Sequence, residues 1–263
     1  MRIVRVVLAA VMSAAILAGC AEAPITGRNQ LIVVPEAQVS QMGLQTFQEI
    51  LKKEDVSNDS KLNALVQKVG ARIAQAVDAG VKWDFVVFND DKQVNAFALP
   101  GGKVGVYSGL FKVVNGEAEL AAVIGHEIAH VTAKHGAERL SQGIVAQAGL
   151  AATAIALSNR DPTTVQLVTT ALGAGTTVGV LLPYSRLQES EADKLGMIYM
   201  AKAGYDPRAA KDLWVKMAKA SQGQARPPEL LSTHPASETR IAQIENWMPE
   251  ALEHYKDGRQ SGR

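Results

Sequence analysis

Two histidines four positions apart, with a glutamate directly after the first, constrain this chain more than any other feature. They are His126 and His130, and the glutamate is Glu127. Positions four apart on an α-helix differ by about 40° around the axis, so both imidazoles lean toward one point where they can bind a metal ion. Glu127 flanks that same point. The spacing therefore predicts a helix that carries a zinc site and a reactive carboxylate.

The residues around this motif favour a helix. Asn115 is a suitable N-cap, and Glu117 and Glu119 place negative charge near the positive end of the helix dipole. Apolar residues recur at helical spacing, at Leu120, Val123, Ile124, Ile128 and Val131. Gly125 weakens the helix relative to alanine, which suggests that another chain segment comes close to the metal there. The alternative is a buried amphipathic helix whose histidines only bond to their neighbours.

A later acidic segment can complete the metal site, which needs a third protein ligand while one position stays open for water. Ser185 and Gln188 form a capping box that begins a helix just after Pro183. Glu189 and Asp193 then lie four positions apart on one face of that helix. We expect Glu189 to be the third ligand and Asp193 to accept the free ring N–H of a ligating histidine. Taken alone, this acidic cluster is better explained as a solvated helix face.

Together these motifs resemble the zinc metalloendopeptidases of peptidase family M48, the group of HtpX, BepA and LoiP, which is related to the CAAX prenyl endoproteases. The resemblance rests on residues 126–130 and 185–193, on a strand and turn at 95–104, and on a late histidine motif at 232–235 with Arg240 and Ile241. It covers most of residues 25–247. The helical repeat extension of BepA-like members is missing, which favours a stand-alone protease of the LoiP kind.

The resemblance implies a role for each residue of the site. His126, His130 and Glu189 correspond to the ligands of one zinc ion, and Glu127 corresponds to the general base that activates water for peptide-bond hydrolysis. Unfolded or misassembled envelope proteins are the implied substrates. The rival interpretation is a non-proteolytic zinc-binding chaperone lipoprotein, and a purely structural lipoprotein would bind no zinc.

His234 lies in the late histidine motif and has two possible functions. It could donate a hydrogen bond to the oxyanion of the transition state, as a catalytic residue. It could instead occupy the open zinc position in a resting state and inhibit the enzyme. The alternative to both is a loop histidine near the surface, because His-Pro dipeptides are common in turns.

Short apolar runs predict a small antiparallel sheet beside the zinc helix. Residues 83–88 have the length of a strand, and 96–99 with 104–107 flank a Pro-Gly-Gly turn. An edge strand next to the zinc helix could pair with an extended peptide, so we expect Asn95, Ala96 and Phe97 to bind substrate. The alternative is that these strands only cover the helix core.

The first residues predict export and a lipid anchor. Arg2 and Arg5 precede an apolar stretch at 6–17, which suits a signal peptide of residues 1–19. The segment 17–20 resembles a bacterial lipobox, which makes Cys20 the lipidated residue on the periplasmic face of the outer membrane. Cys20 is the only cysteine, so no intrachain disulfide is possible. The alternatives are a lipoprotein on a Gram-positive surface and a soluble secreted protein cut near Ala23.

The remaining sequence predicts an α+β fold, a mainly helical zincin-type domain. We expect an anchor and linker at 20–35, one metallopeptidase domain at 36–250 with helices near 36–53 and 62–77, and a polar tail at 251–263 that is disordered from residue 256. The segments 144–157 and 165–182 are apolar, and the second is long enough to suggest a transmembrane helix. Interruptions by Thr, Gly and Gln favour a buried helical hairpin or a lid instead, with contact to lipid as a lesser alternative.

The charge balance excludes one class of partner. The formal net charge is +1, and the sequence has no basic stripe or base-stacking motif. Nucleic-acid binding is therefore not expected.

Overall fold

The computed structural model describes residues 20–176, 182–221, 230, 234 and 238–261. The predicted signal peptide, and residues 232, 233 and 235 of the histidine motif, lie outside these described residues. The elements in chain order are β1 (Cys20–Glu22), β2 (Asn29–Leu31), α1 (Glu36–Lys53), α2 (Ser60–Val77), β3 (Asp84–Phe88), β4 (Ala96–Leu99), β5 (Lys103–Tyr107), a 3-10 helix (Ser108–Lys112), α3 (Gly116–Thr132), α4 (His135–Ala156), α5 (Pro162–Thr176), α6 (Leu182–Lys202), α7 (Arg208–Ser221) and α8 (Glu238–Ser261). The mainly helical α+β fold is thus confirmed.

The chain divides into two compact units. The first comprises Met1–Val39 and Lys134–Gln188, and the second comprises Ser40–Ala133 and Glu189–Arg263. Helix α1 closely matches its prediction near 36–53, and α2 matches the apolar pattern predicted at 62–77.

In the first unit, residues predicted as a linker form an antiparallel hairpin of β1 and β2. Arg28 donates two hydrogen bonds to the buried carboxylate of Glu138 on α4, at 2.7 and 2.8 Å, and Gln30 donates a third at 3.3 Å. The backbone N–H of Val33 donates to Ser141 Oγ at 3.0 Å. The predicted linker thus contains a hairpin that contacts buried residues of α4.

The helical hairpin of α4 and α5 does not form a core. No residue between 143 and 174 is buried, and Ile155 and Leu167 are 73% and 70% exposed. The prediction of a buried hairpin was wrong, because two helices that pack on each other enclose little apolar surface. No helix of the described residues is long and apolar enough to cross a membrane.

The second unit contains a three-stranded sheet with the order β3-β5-β4. Strand β4 pairs antiparallel with β5 as predicted, but β3 pairs parallel with β5. The predicted antiparallel sheet is therefore present as the pair of β4 and β5, and the parallel pairing of β3 is an addition to it. The chain reverses its direction between β3 and β4 and again between β4 and β5, so β3 and β5 run in the same direction, with β5 between the other two strands.

Helix α3 is the centre of this unit. Each of the eleven residues from Leu120 to His130 is buried. Asn115 is the N-cap residue as predicted, but its side chain makes no capping bond. Instead, the backbone N–H of Asn115 donates to the carboxylate of Glu119 at 2.7 Å.

Two predicted boundaries differ from the structure. Helix α6 begins at Leu182, so Ser185 lies inside the helix and is not its N-cap. Gln188 donates instead to Glu138 at 2.7 Å. Helix α8 continues to Ser261 through most of the predicted polar tail, because Ala251 is fully buried and Gly258 packs against the backbone at the end of α6.

Candidate metal centre

The metal centre is built where α3 and α6 touch. A Cβ atom on Gly125 would lie 2.9 Å from the carbonyl oxygen of Gly196, closer than real Cβ contacts. The two backbones can approach this far only because both residues are glycine. The predicted close approach at Gly125 is confirmed, and it brings the histidines of α3 beside the carboxylates of α6.

Four side chains converge there, and their donor atoms all lie within 4.8 Å of one another: His126, His130, Glu189 and His234. The two ring nitrogens Nε2 of His126 and His130 are 3.1 Å apart. The Glu189 oxygens lie 3.3 Å from each of these nitrogens. Imidazole nitrogen and carboxylate oxygen are the donors that zinc prefers, so the group could hold one zinc ion.

His234 belongs to this group and is not a remote surface histidine. Its Nδ1 lies 2.7 Å from Glu189 Oε2 and 3.1 Å from His126 Nε2. Its Nε2 lies 3.5 Å from Glu127 Oε1. This geometry is compatible with both predicted functions, as a fourth ligand or as a donor to the reacting carbonyl.

Asp193 orients His126 in the manner predicted for a supporting residue. Its Oδ1 lies 3.0 Å from His126 Nδ1, so the opposite nitrogen, Nε2, is left to face the other donors. Burial would lower the pKa of His126, but hydrogen bonds with Asp193 and Glu189 raise it to about 9. Burial likewise favours a raised pKa for Asp193, yet the Arg240 guanidinium holds that pKa below its ordinary value.

Glu189 is held in its anionic form. Burial acts to raise its pKa, but hydrogen bonds from His126, His130 and His234 outweigh burial and lower it. A carboxylate that is ionised in the folded protein is ready to bind a cation without losing a proton.

Glu127 is almost fully buried beside the group, with 3% exposure. Burial raises its pKa, while a backbone hydrogen bond from Ala98 on β4 acts in the opposite direction. Its Oε1 has no hydrogen-bond partner among the described residues. A buried carboxylate oxygen without a donor requires an explanation, and a reactant water or a cation at the four-donor group would provide one.

Arg240 and Trp214 are two residues of this site for which the sequence predicted no role. Arg240 is 5% exposed and pairs with Asp193 through both carboxylate oxygens, at 2.5 and 2.7 Å. Its Cζ lies 3.5 Å from the centre of the Trp214 ring. Asp193 could have pointed to such a partner, since a buried carboxylate requires a cationic or hydrogen-bonding neighbour.

The structure gives the predicted substrate-binding residues other contacts. Ala96 is buried, and the Phe97 ring packs against Phe88 and Tyr107. The Asn95 side chain accepts a bond from the backbone N–H of Ala96 at 2.9 Å. The side chains of Ala96 and Phe97 thus pack against other residues, and substrate binding by this segment stays a prediction.

Cys20 is the first residue of β1, and its lipidation also stays a prediction.

Comparison with known proteins agrees with this geometry. The model of peptidase family M48 matches residues 59–248. The mitochondrial metalloendopeptidase OMA1 of Schizosaccharomyces pombe is 41% identical over 181 residues, covering 68% of this chain and 50% of the relative. OMA1 of Saccharomyces cerevisiae is 31% identical over 260 residues, covering 89% of this chain and 71% of that protein.

A bacterial relative completes the comparison. The beta-barrel assembly-enhancing protease of Escherichia coli is 32% identical over 214 residues, covering 80% of this chain and 43% of the relative. The chain thus spans about half the length of the first of these relatives and less of the last. Metallopeptidases of the matched family depend on zinc, which suits the donor group described above. The chain belongs to peptidase family M48.

Proposed function

We propose that this protein is a zinc-dependent endopeptidase. The observation that supports the proposal most directly is the buried Oε1 of Glu127, which accepts no hydrogen bond from the described residues and lies next to four converging metal donors. A carboxylate in this position can accept a proton from a water molecule held at the group. The names of the relatives, which are endopeptidases and proteases, agree with this activity.

The residues divide the work of hydrolysis. A zinc ion, when bound, supplies a Lewis acid that polarises the scissile carbonyl and makes water acidic. Glu127 takes the proton of the attacking water and passes it to the leaving amine. Glu189 and the imidazoles of His126 and His130 would hold the ion. His234, whose Nε2 lies 3.5 Å from Glu127, either assists at the carbonyl or fills the remaining position.

A single substitution separates this activity from the chaperone alternative. Glu127→Gln should retain stoichiometric zinc and lose the cleavage of an unfolded protein such as reduced casein. Glu117→Gln is a matched control on the same helix, because the Glu117 side chain is 38% exposed and its ion pair among the described residues is with the exposed Lys68. Chelator-sensitive cleavage that survives Glu127→Gln would contradict the proposed base. Suppression of aggregation without any cleavage by the parent protein would instead support the chaperone.

We also propose that the protein acts at the periplasmic face of the outer membrane on unfolded or misassembled envelope proteins. The apolar stretch 6–17 and the lipobox-like segment 17–20 support export and lipidation of Cys20. One relative is named for β-barrel assembly, although others are named as mitochondrial. Mass spectrometry of the mature N-terminus tests the anchor, with Cys20→Ser as the unlipidated control. An unmodified terminus cut near Ala23 would contradict it.

A further inference from the structure

A buried cation lies directly behind the candidate metal ligands. Arg240 enters from the start of α8, and its guanidinium contacts both oxygens of Asp193. One of those oxygens, Oδ1, also contacts His126 Nδ1 at 3.0 Å. Asp193 therefore links Arg240 to the ring of a candidate zinc ligand.

Trp214 on α7 supports this link on a second side. The Arg240 Cζ atom lies 3.5 Å from the centre of the indole, which is a close cation–π contact. The same indole meets the His126 ring edge-on, with centroids 5.9 Å apart and planes at 67°. The guanidinium is thus fixed at its face by Trp214 and at its edge by Asp193.

We propose that Arg240, stacked on Trp214, is a positioning residue that locks Asp193 and thereby holds His126 Nε2 toward the metal. The inference rests on the proposed metal site. Arg240 does not need to touch the reacting atoms in this role, because it acts through Asp193. Its nearest approach to the ligands is 3.3 Å to His126 Nδ1 and 3.5 Å to Glu189 Oε2.

The chemistry of arginine explains why this residue type is required. Its planar guanidinium presents donors in a rigid fork that fits both oxygens of one carboxylate, and it stacks on an aromatic face. Lysine offers a point charge without the fork or the planar stack. Without a fork, Asp193 is free to rotate away from His126, and the imidazole loses the acceptor that orients it.

The test measures zinc affinity, because this quantity does not require catalysis. Competition with a chromophoric chelator gives the zinc dissociation constant of each variant. We expect Arg240→Gln to bind zinc at least about tenfold more weakly, as losses of such supporting partners commonly cost 10–100-fold. Arg240→Lys should fall between this variant and the parent, and Trp214→Leu should also weaken binding.

Arg28→Gln is the matched control. It also removes a guanidinium that makes two hydrogen bonds to a buried carboxylate, that of Glu138 in the first unit. We expect it to lower the melting temperature and leave the zinc dissociation constant unchanged. Equal losses of zinc affinity in Arg28→Gln and Arg240→Gln would indicate general destabilisation and overturn the proposal.

A double-mutant cycle tests whether Arg240 acts through Asp193. Asp193→Asn should weaken zinc binding, and adding Arg240→Gln to it should change the affinity no further. Additive losses, or an unchanged affinity in Arg240→Gln, would overturn the proposal. If Arg240→Gln does not fold, Arg240→Lys serves in the same cycle. A parent protein without stoichiometric zinc would contradict the metal site itself, and this inference with it.

Discussion

Gly196 lies so close to His126 that a Cβ atom added to the glycine would be 2.8 Å from the backbone nitrogen of the histidine. Gly196 lies on α6 and His126 on α3, and these two helices cannot move apart without separating the candidate ligands. Gly196→Ala should therefore lower the free energy of unfolding by about 1–3 kcal/mol, as overpacking of a core does. It should also weaken zinc binding. Urea unfolding and chelator competition measure the two effects.

Gly149→Ala is the control for this substitution. Gly149 lies within α4, and an added Cβ would meet nothing within 4 Å. Alanine is the better helix former there, so stability should rise by about 0.5–1 kcal/mol. If Gly196→Ala were as stable as Gly149→Ala, the two helices would not be in close contact.

Substitution of His234 should distinguish its two predicted functions. Because His234 Nδ1 lies 2.7 Å from Glu189 and 3.1 Å from His126 Nε2, we expect His234→Ala to weaken zinc binding. An accompanying rise in casein cleavage would indicate that His234 inhibits the resting enzyme. A fall in kcat would indicate that it assists the reaction. His254→Ala, on α8, is the control, and an unchanged zinc affinity in His234→Ala would show that His234 is not a ligand.

Zinc should stabilise the protein after treatment with a chelator. An ion that binds only the folded state adds about 2.7 kcal/mol at a free concentration one hundred times its dissociation constant. The rise in melting temperature on adding zinc should disappear in Glu189→Ala. It should persist in Glu250→Ala, which removes a partner of Lys194 whose side chain is 43% exposed. A zinc-dependent shift that survives in Glu189→Ala would exclude Glu189 as a ligand.

Glu138 should make stability depend on acid pH. Burial acts to raise its pKa, but hydrogen bonds from Arg28, Gln188 and Gln30 hold the pKa below its ordinary value of 4.5. A carboxyl with a depressed pKa in the folded state contributes its full stability above the unfolded pKa, and this contribution is lost as pH falls through the folded pKa.

Urea unfolding at a series of pH values from 6 to 3 measures this contribution. The parent should lose stability steadily below about pH 4.5, and Glu138→Gln should be less stable at pH 6 but lose less on acidification. Glu253→Gln, at an exposed position, should keep the parental pH dependence. The same acid sensitivity in Glu138→Gln as in the parent would contradict the assignment.

The parts of the site that share one helix were predictable from spacing. His126, Glu127 and His130 follow from the helical period, and the four-residue step from Glu189 to Asp193 places both on one face of α6. Gly125 was also informative, because a glycine destabilises a helix interior and therefore suggested that another segment comes close. In the structure that segment is the backbone at Gly196. These features depend on local geometry, which a single sequence contains.

Contacts between distant segments were not predictable in this way. Arg240 and Asp193 are 47 positions apart, and nothing in the periodicity of either helix pairs them. The parallel direction of β3 depends on the path of the chain between β3 and β5, and a short apolar run does not specify that path. The polar sequence at 251–261 resembles a tail, but the few small or apolar residues that pack there, such as Ala251, decide that it is a helix.

The burial of every residue from Leu120 to His130 in α3 has a consequence for how the protein moves. Backbone amides exchange with solvent only when their segment opens, and a segment buried on every side opens last, with the global unfolding of its unit. The amides of residues 120–130 should therefore be among the slowest to take up deuterium. An ion bound to His126 and His130 would then not escape by local fraying of α3, so its release would depend on the other donors, Glu189 and His234.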